Sequence, residues 1–390
     1  MLELDAGLEF HPENDADFFA LLPELPAVCL IELSEEKAEP HLIRTANLRR
    51  RLQRLLGPAD PSSKRLNLRG FARQVRYRTT NSAFEQSLTY YRIARQYFPK
   101  RYKDLMRLRP SPVLKINLKN AYPRCYVTRH IGVNERGEPT GGIYYGPFAS
   151  RKAAQIYADS VLDFFKVRRC QIKIRRDPSF PGCLYSEMKM CLAPCFAGCT
   201  KEEYDAEVNR LVEFLETSGG SLRATYEQER ECASEELDFE RAATVHKKLE
   251  KLDDALRAGP EIARRVQDLN AVILQRLAEE QSIGIFGVRG GRLAEPFALR
   301  FGDTSQPRSA EETVRDYLEA MMNAPAAPGN ARQSAIDLGE HLRLVARWFY
   351  SNPREGEIFF REKDWPYRRI LRACARLLAP PKEETSETKP

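Results

Sequence analysis

The chain has 390 residues, 62 Lys/Arg against 55 Asp/Glu, a net charge of +7 and 42% hydrophobic residues, a size that predicts about two or three domains with cores of their own. No window holds the roughly 18 apolar residues of a membrane span, and the acidic start MLELDAGLEF does not read as a signal peptide. A cytoplasmic protein with no membrane partner is therefore expected.

The charge is unevenly placed. Residues 44–129 hold 22 Lys/Arg and only three acids (Asp60, Glu85 and Asp104), whereas residues 201–259 balance to about −7. A basic block that also carries apolar periodicity predicts a folded phosphate-binding surface rather than a tail.

Residues 27–33 (AVCLIEL) form an apolar, β-rich run, and 41–44 (HLIR) is its expected pairing partner. A helix follows from Thr45, with Leu48, Leu52, Leu55 and Leu56 on one face and Arg49, Arg50 and Arg54 off it. Gly57-Pro58 stops it. Residues 71–79 predict a strand bearing Arg73, Arg76 and Arg78, and Ser82-Ala-Phe-Glu85 reads as a capping box opening a helix that Pro99 ends. Arg44, Arg49, Arg50, Arg51, Arg54, Arg73, Arg76 and Arg78 are the expected DNA contacts, holding phosphates without reading sequence. Tyr77, Tyr90, Tyr91 and Tyr97 read as core. Residues 112–118 and 122–130 are short strands leading onward.

Four cysteines, Cys170, Cys183, Cys191 and Cys195, then sit in a Pro/Gly-punctuated loop, separated by twelve, seven and three residues. The cytosol keeps thiols reduced, so soft thiolates gathered in this way predict ligands for zinc or an iron–sulfur cluster. Spacing does not separate the two. Cys199 reads as a bystander.

Thr200-Lys-Glu-Glu203 is a second capping box, opening a helix that runs to Gly219-Gly220. A helical hairpin follows to Leu256, containing Leu237-Asp-Phe-Glu-Arg-Ala-Ala243 and then Val245, Leu249 and Leu252. Ala242 and Ala243 allow close helix approach, and Phe239 is the large apolar residue beside Leu237 that the resemblance given below makes the natural anchor for a partner. Beyond it, residues 269–277 and 282–288 predict strands, Arg289–Arg292 a turn, 293–301 a third strand, and Ser309-Ala-Glu-Glu312 the cap of a helix to Asn323. After the linker APAAPGNA come a helix (333–350), a short strand (357–361), a basic helix (366–378) and a polar tail.

Tyr145-Gly-Pro-Phe148 before the cysteine loop and Cys191-Leu-Ala-Pro-Cys195 at its close resemble the cysteine-rich region of the UvrC family, the nuclease subunit of bacterial nucleotide excision repair. The resemblance implies a [4Fe–4S] cluster on Cys170, Cys183, Cys191 and Cys195, with zinc as the alternative. Residues 237–243 are similar to the UVR motif, the hairpin by which that family pairs with UvrB, and residues 260–302 are similar to the family's connector. The order strand–strand–helix–strand–helix is that of the GIY-YIG nuclease domain. Its first motif falls on Ala27-Val28-Cys29, its second on His41-Leu42-Ile43, its helix arginine on Arg51 and its metal-binding glutamate on Tyr90. The site Cys29, His41, Arg51 and Tyr90 is thus degenerate: no catalytic residue and no Mg²⁺ are expected. Glu85 is explained by capping.

The resemblance implies an α+β multidomain protein: a degenerate GIY-YIG-like α/β/α domain (18–109), linker strands with a cysteine-rich Fe–S module (110–200), a helical region with the UVR hairpin (201–259), a connector-like α+β region (260–323) and a C-terminal region of unassigned role (324–390). The expected function is DNA and UvrB binding in excision repair without incision. Two other readings stay open: a single-incision endonuclease with a rebuilt site, and a UvrB-binding regulator that does not touch DNA.

Overall fold

The computed structural model describes residues 2–35, 38–58, 62, 64–302, 309–325 and 330–379. The polar tail and much of the APAAPGNA linker fall outside them. The architecture is α+β, with helices distributed around three larger antiparallel sheets.

The first sheet runs in the order Ala6–Glu9, Ala72–Thr79, Ala27–Leu33, His41–Thr45. Its central strand is buried on both faces because every side chain of AVCLI is apolar. Ala27, Cys29 and Ile31 join a core closed by Phe18 of the helix Asp15–Leu21 and by Leu48, Leu52, Leu55 and Leu56 of the helix Leu48–Leu56. Val28 and Leu30 point the other way, into a core shared with the helix Ala83–Tyr97. The edge strand Ala6–Glu9 and the helix Asp15–Leu21 lie in what reads from sequence as a featureless leader.

The middle sheet is ordered Arg264–Arg265, Ile143–Gly146, Val113–Ile116, Cys125–Thr128. The helices Arg151–Leu162 and Lys201–Glu216 close its second face around Phe165, Tyr204 and Phe214. The Thr200/Glu203 capping box forms reciprocally. The box at Ser82 forms by half. Ser82 accepts from the Glu85 N–H, but the Glu85 carboxylate takes the Asn81 N–H at 3.1 Å.

The third sheet joins residues far apart in sequence. Ala271–Arg276 pairs with Ser282–Arg289 on one side and with Glu357–Phe360 on the other. The third strand expected over 293–301 is split: Arg292–Leu293 and Phe297–Arg300 each pair with Ser282–Arg289. Pro296, which has no N–H to give a ladder, lies in the break. The helix Ala331–Phe349 packs Leu338, Leu342, Val345 and Trp348 into the core that also holds Phe84, Leu88 and Tyr91. There Glu340, 2% exposed, accepts hydrogen bonds from Tyr91 (2.7 Å) and Tyr102 (2.8 Å) and pairs with Lys103 at 3.1 Å. A buried carboxylate is tolerable only with such partners. Through it, residues 331–349 are fastened to the N-terminal helices. The basic helix Tyr367–Leu378 covers the outer face of the third sheet with Ile370, Ala373 and Cys374.

Candidate nucleic-acid interface and cysteine centre

In antiparallel strands, directly paired residues present their side chains on the same face. Cys29 is paired with Ile43 and Tyr77, and His41 with Ile31, all on the face covered by the helix Leu48–Leu56. Tyr90 packs against the opposite face with Val28, Leu30 and Leu42. The structure therefore brings His41 near Arg51 but keeps Tyr90 across the sheet from Cys29. Burial pushes the Cys29 thiol far up, so it stays protonated. Burial, with the nearby Arg51 charge adding to it, lowers His41. Burial raises Tyr90 against the pull of Arg44, whose guanidinium lies 5.7 Å from the ring centroid. At neutral pH these positions offer a neutral thiol, imidazole and phenol.

Glu85, the one acid of its helix, is 1% exposed. It takes the Asn81 N–H and lies 3.6 Å from Arg78 Nε. Burial nevertheless raises its pKa. Its carboxylate is committed inside the fold.

The eight arginines expected on DNA divide into two groups. Arg49 donates Nε to the Leu22 carbonyl at 2.8 Å and Nη2 to that of Ala20, and pairs with Glu24 at 2.6 Å. It fastens its helix to the preceding helix and loop. Arg76 meets Tyr97 (3.0 Å) and Glu32 (3.5 Å), and Arg78 lies between Glu85 and Asp5, the latter at 2.5 Å. Arg44, Arg50, Arg54 and Arg73 are exposed with no hydrogen-bond or ion-pair partner among the described residues, and Arg51 is half-buried. Sequence could not show this division, because the carbonyls that capture Arg49 lie at and just beyond the end of the helix Asp15–Leu21, where no motif marks them.

The cysteine loop runs between the helices Arg151–Leu162 and Lys201–Glu216. Cys191 and Cys195 each lie close enough to Cys170 and Cys183 for their charges to interact, and burial with these neighbours raises the Cys191 thiol to about 11. Among the described residues no three His, Cys, Asp or Glu side chains converge on a single-ion position. The Ala193 N–H donates to Cys191 Sγ at 3.3 Å. Ala193 and Ala197 both adopt left-handed backbone (φ 55° and 62°) on either side of the turn that carries Cys195. Strain of this sort in non-glycine residues persists only where the surroundings impose it.

Arg168 holds the start of the loop, a role the sequence did not signal. Its side chain is buried and donates to the carbonyls of Tyr122 (2.8 Å), Cys170 (3.2 Å) and Ile172 (3.0 Å), with Cys170 Sγ at 3.8 Å. The Tyr204 hydroxyl takes the Arg168 N–H and donates to the Pro123 carbonyl at 2.7 Å. Asp177 N–H to the Cys195 carbonyl (2.9 Å) and Arg176 to the Cys199 carbonyl (3.0 Å) tie down the far side.

The helices Gly220–Glu235 and Phe239–Arg257 form the hairpin. Val245, Leu249 and Leu252 are buried toward the body. At the other end Leu237 turns the chain with φ 57°, and Asp238 caps the second helix through the Arg241 N–H. Leu237 is 71% and Phe239 72% exposed, Ala243 is exposed and Ala242 half-buried. All four expected partner residues thus gather at or beside the free tip.

Residues 111–214 match the family described as UvrC/Cho excinuclease, middle domain, which takes in three of the four strands of the middle sheet, the cysteine loop and most of the helix Lys201–Glu216. UvrABC system protein C of Carboxydothermus hydrogenoformans is 30% identical over 280 residues, covering 70% of this chain and 43% of that protein. The Protochlamydia amoebophila protein of the same name is 27% identical over 277 residues, covering 70% and 44%. That of Caldanaerobacter subterraneus is 26% identical over 333 residues, covering 84% and 52%. The chain spans about half the length of these curated relatives or less. No solved structure matches. By these matches the chain belongs to the UvrC family, its residues 111–214 matching the middle domain.

Proposed function

We propose that the protein acts in nucleotide excision repair by binding DNA and a UvrB-like partner, without cutting DNA itself. The observation that carries this reading is the state of the N-terminal sheet. Its strand–strand–helix–strand–helix order suits a GIY-YIG-like domain, yet Cys29 and Tyr90 lie on opposite faces and Glu85 is sealed inside. Phosphodiester hydrolysis by such a domain needs a metal-held carboxylate site to stabilise the leaving group. The exposed, unpaired Arg44, Arg50, Arg54 and Arg73 keep the other half of the task, attraction of phosphates.

Cys170, Cys183, Cys191 and Cys195 are the residues that would hold a [4Fe–4S] cluster, with zinc the alternative. Four soft donors around one loop suit either, and a cluster gives each thiolate its own iron. Bound there, it supplies a cross-link for a loop that has little apolar core. The partner reading rests on the UVR-like tip, because large exposed apolar side chains on a rigid hairpin mark contact surfaces. Mixing the purified protein with damaged duplex and Mg²⁺, with and without a UvrB-like protein, tests the reading: retained complexes with intact strands are expected. Binding only in the partner's presence would instead favour a regulator that does not touch DNA.

A further inference from the structure

Three stretches of the chain carry no acid: residues 40–59, 105–134 and 341–354, with five, six and three Lys/Arg. The first spans the strand His41–Thr45 and the helix Leu48–Leu56, and the third is the second half of the helix Ala331–Phe349 with the turn beyond it. The fold brings the three together. Arg343 and Arg347 stand one turn apart on the helix Ala331–Phe349. Arg347 donates Nη2 to the carbonyls of Met106 (2.9 Å) and Arg107 (2.5 Å), which draws the middle stretch against that helix. Arg44, whose guanidinium lies over the Tyr90 ring, is near enough to Arg347 for their charges to interact. Arg129 stands in the same relation to Arg343.

Among the described residues no carboxylate pairs with Arg44, Arg129, Arg343 or Arg347. Burial lowers the pKa of Arg343 and of Arg347, and neighbouring arginines lower it further: Arg129 for the one, Arg343 and Arg44 for the other. The hydrogen bonds of Arg347 go to carbonyls, which fix the guanidinium without neutralising it. Acids that flank the three stretches are occupied elsewhere. Glu39 pairs with Arg101 at 2.5 Å, Glu355 accepts the Ala83 N–H at 3.0 Å, and Glu340 is buried among Tyr91, Tyr102 and Lys103. Asp104 and Glu135 are exposed at the ends of the middle stretch, and neither acts on Arg343 or Arg347. Like charges gathered without counter-charge work against the compact state, so a packed helix that presents them calls for an anion from outside.

We infer that Arg44, Arg129, Arg343 and Arg347 form one track for the backbone phosphates of duplex DNA, which gives the helix Ala331–Phe349 a part in DNA binding. The inference rests on the proposed DNA binding and extends it from the N-terminal sheet to a region of otherwise unassigned role. Guanidinium groups match phosphodiester oxygens in charge and in geometry. Duplex DNA repeats that charge about every 1.7 Å of its axis, which a row of arginines drawn from three segments can follow. Arg347, held by carbonyls, is the fixed centre of the row, and Arg44 and Arg129, both exposed, extend it. Such contacts hold the duplex without reading its sequence.

Fluorescence anisotropy of one short undamaged duplex, titrated with the full chain over a series of salt concentrations, tests this. Arg129→Gln combined with Arg343→Met removes two of the four charges and keeps an apolar stem at 343. The double variant should bind about tenfold more weakly and lower the slope of log affinity against log salt by about 2. Its melting temperature without DNA should be unchanged or raised, because a repulsion is relieved and neither side chain has a hydrogen bond to lose among the described residues. Replacing Arg50, Arg54 and Arg73 by Gln is the parallel control. No affinity of the wild-type chain for the duplex at low salt would overturn the DNA-binding reading and this inference with it. A slope that the triple variant lowers and the double variant leaves at the wild-type value would overturn this inference alone. So would a loss of affinity that accompanies a lower melting temperature without any change of slope.

Discussion

The N-terminal sheet and the cysteine loop keep different things. In the sheet, the positions that the proposal reads as a degenerate nuclease site hold Cys29, His41 and Tyr90, and the strands are well packed because the wholly apolar run AVCLI buries both faces. In the loop the backbone is irregular, two alanines sit in left-handed conformation, and Cys170, Cys183 and Cys195 lie near enough to Cys191 for their charges to interact. A hydrophobic core of this kind does not depend on which polar residues stand at its edges. A loop without a core of its own is held by a few directed hydrogen bonds, such as those of Arg168, Arg176 and Asp177.

That contrast predicts unequal responses to mutation. The largest is at Cys191→Ser. We expect iron and sulfide to be lost together and the middle domain to loosen, since metal binding free energy in such sites is folding free energy. Stoichiometric zinc in colourless wild-type protein would instead assign the alternative metal. Next comes Arg168→Ala, which leaves three carbonyls and a buried space unsatisfied and should cost about 3 kcal/mol in chemical denaturation. Cys29→Ala, by contrast, should cost only about 1 kcal/mol, the loss of a small buried apolar group.

His341 gives the fold a pH response. Burial holds its pKa down near about 4 although Asp337 opposes this, and Nδ1 accepts the Leu293 N–H, which requires the neutral ring. Below the ordinary histidine value of about 6.5 the unfolded chain takes up a proton that the folded one refuses. Stability should therefore fall between pH 6.5 and 4 by about 2 to 3 kcal/mol, and His341→Gln should flatten that slope. A melting temperature independent of pH over this window would contradict the buried, neutral imidazole.

Smaller effects separate the surface roles. Phe239→Ala should leave the fold intact and weaken binding of a UvrB-like partner about 30-fold, the loss of one exposed aromatic anchor worth about 2 kcal/mol. Replacing Arg50, Arg54 and Arg73 together should lower the slope of log affinity against log salt by about 3 on every duplex alike. Arg49→Ala should leave that slope unchanged and lower stability instead, since its partners are Leu22, Ala20 and Glu24.

Much of the fold was legible because its cores follow simple periods: the leucine face of the helix Leu48–Leu56, the two-sided strand Ala27–Leu33, the capping box at Thr200. What escaped depends on partners distant in sequence. The strand Glu357–Phe360 was legible but its place beside Ala271–Arg276 was not, and Arg168 matters because carbonyls from Tyr122 to Ile172 converge on it. The uneven fate of the arginines belongs here too: composition counted them, and only the fold decides which ones remain free.

The central claim is that the N-terminal sheet has kept its architecture and lost its chemistry. The direct test is to incubate the protein with a damaged duplex, labelled at both ends, and with a UvrB-like partner and Mg²⁺ or Mn²⁺, resolving the products on a denaturing gel. The account predicts shifted complexes and full-length strands. A metal-dependent nick that vanishes in His41→Ala or Tyr90→Phe would contradict it.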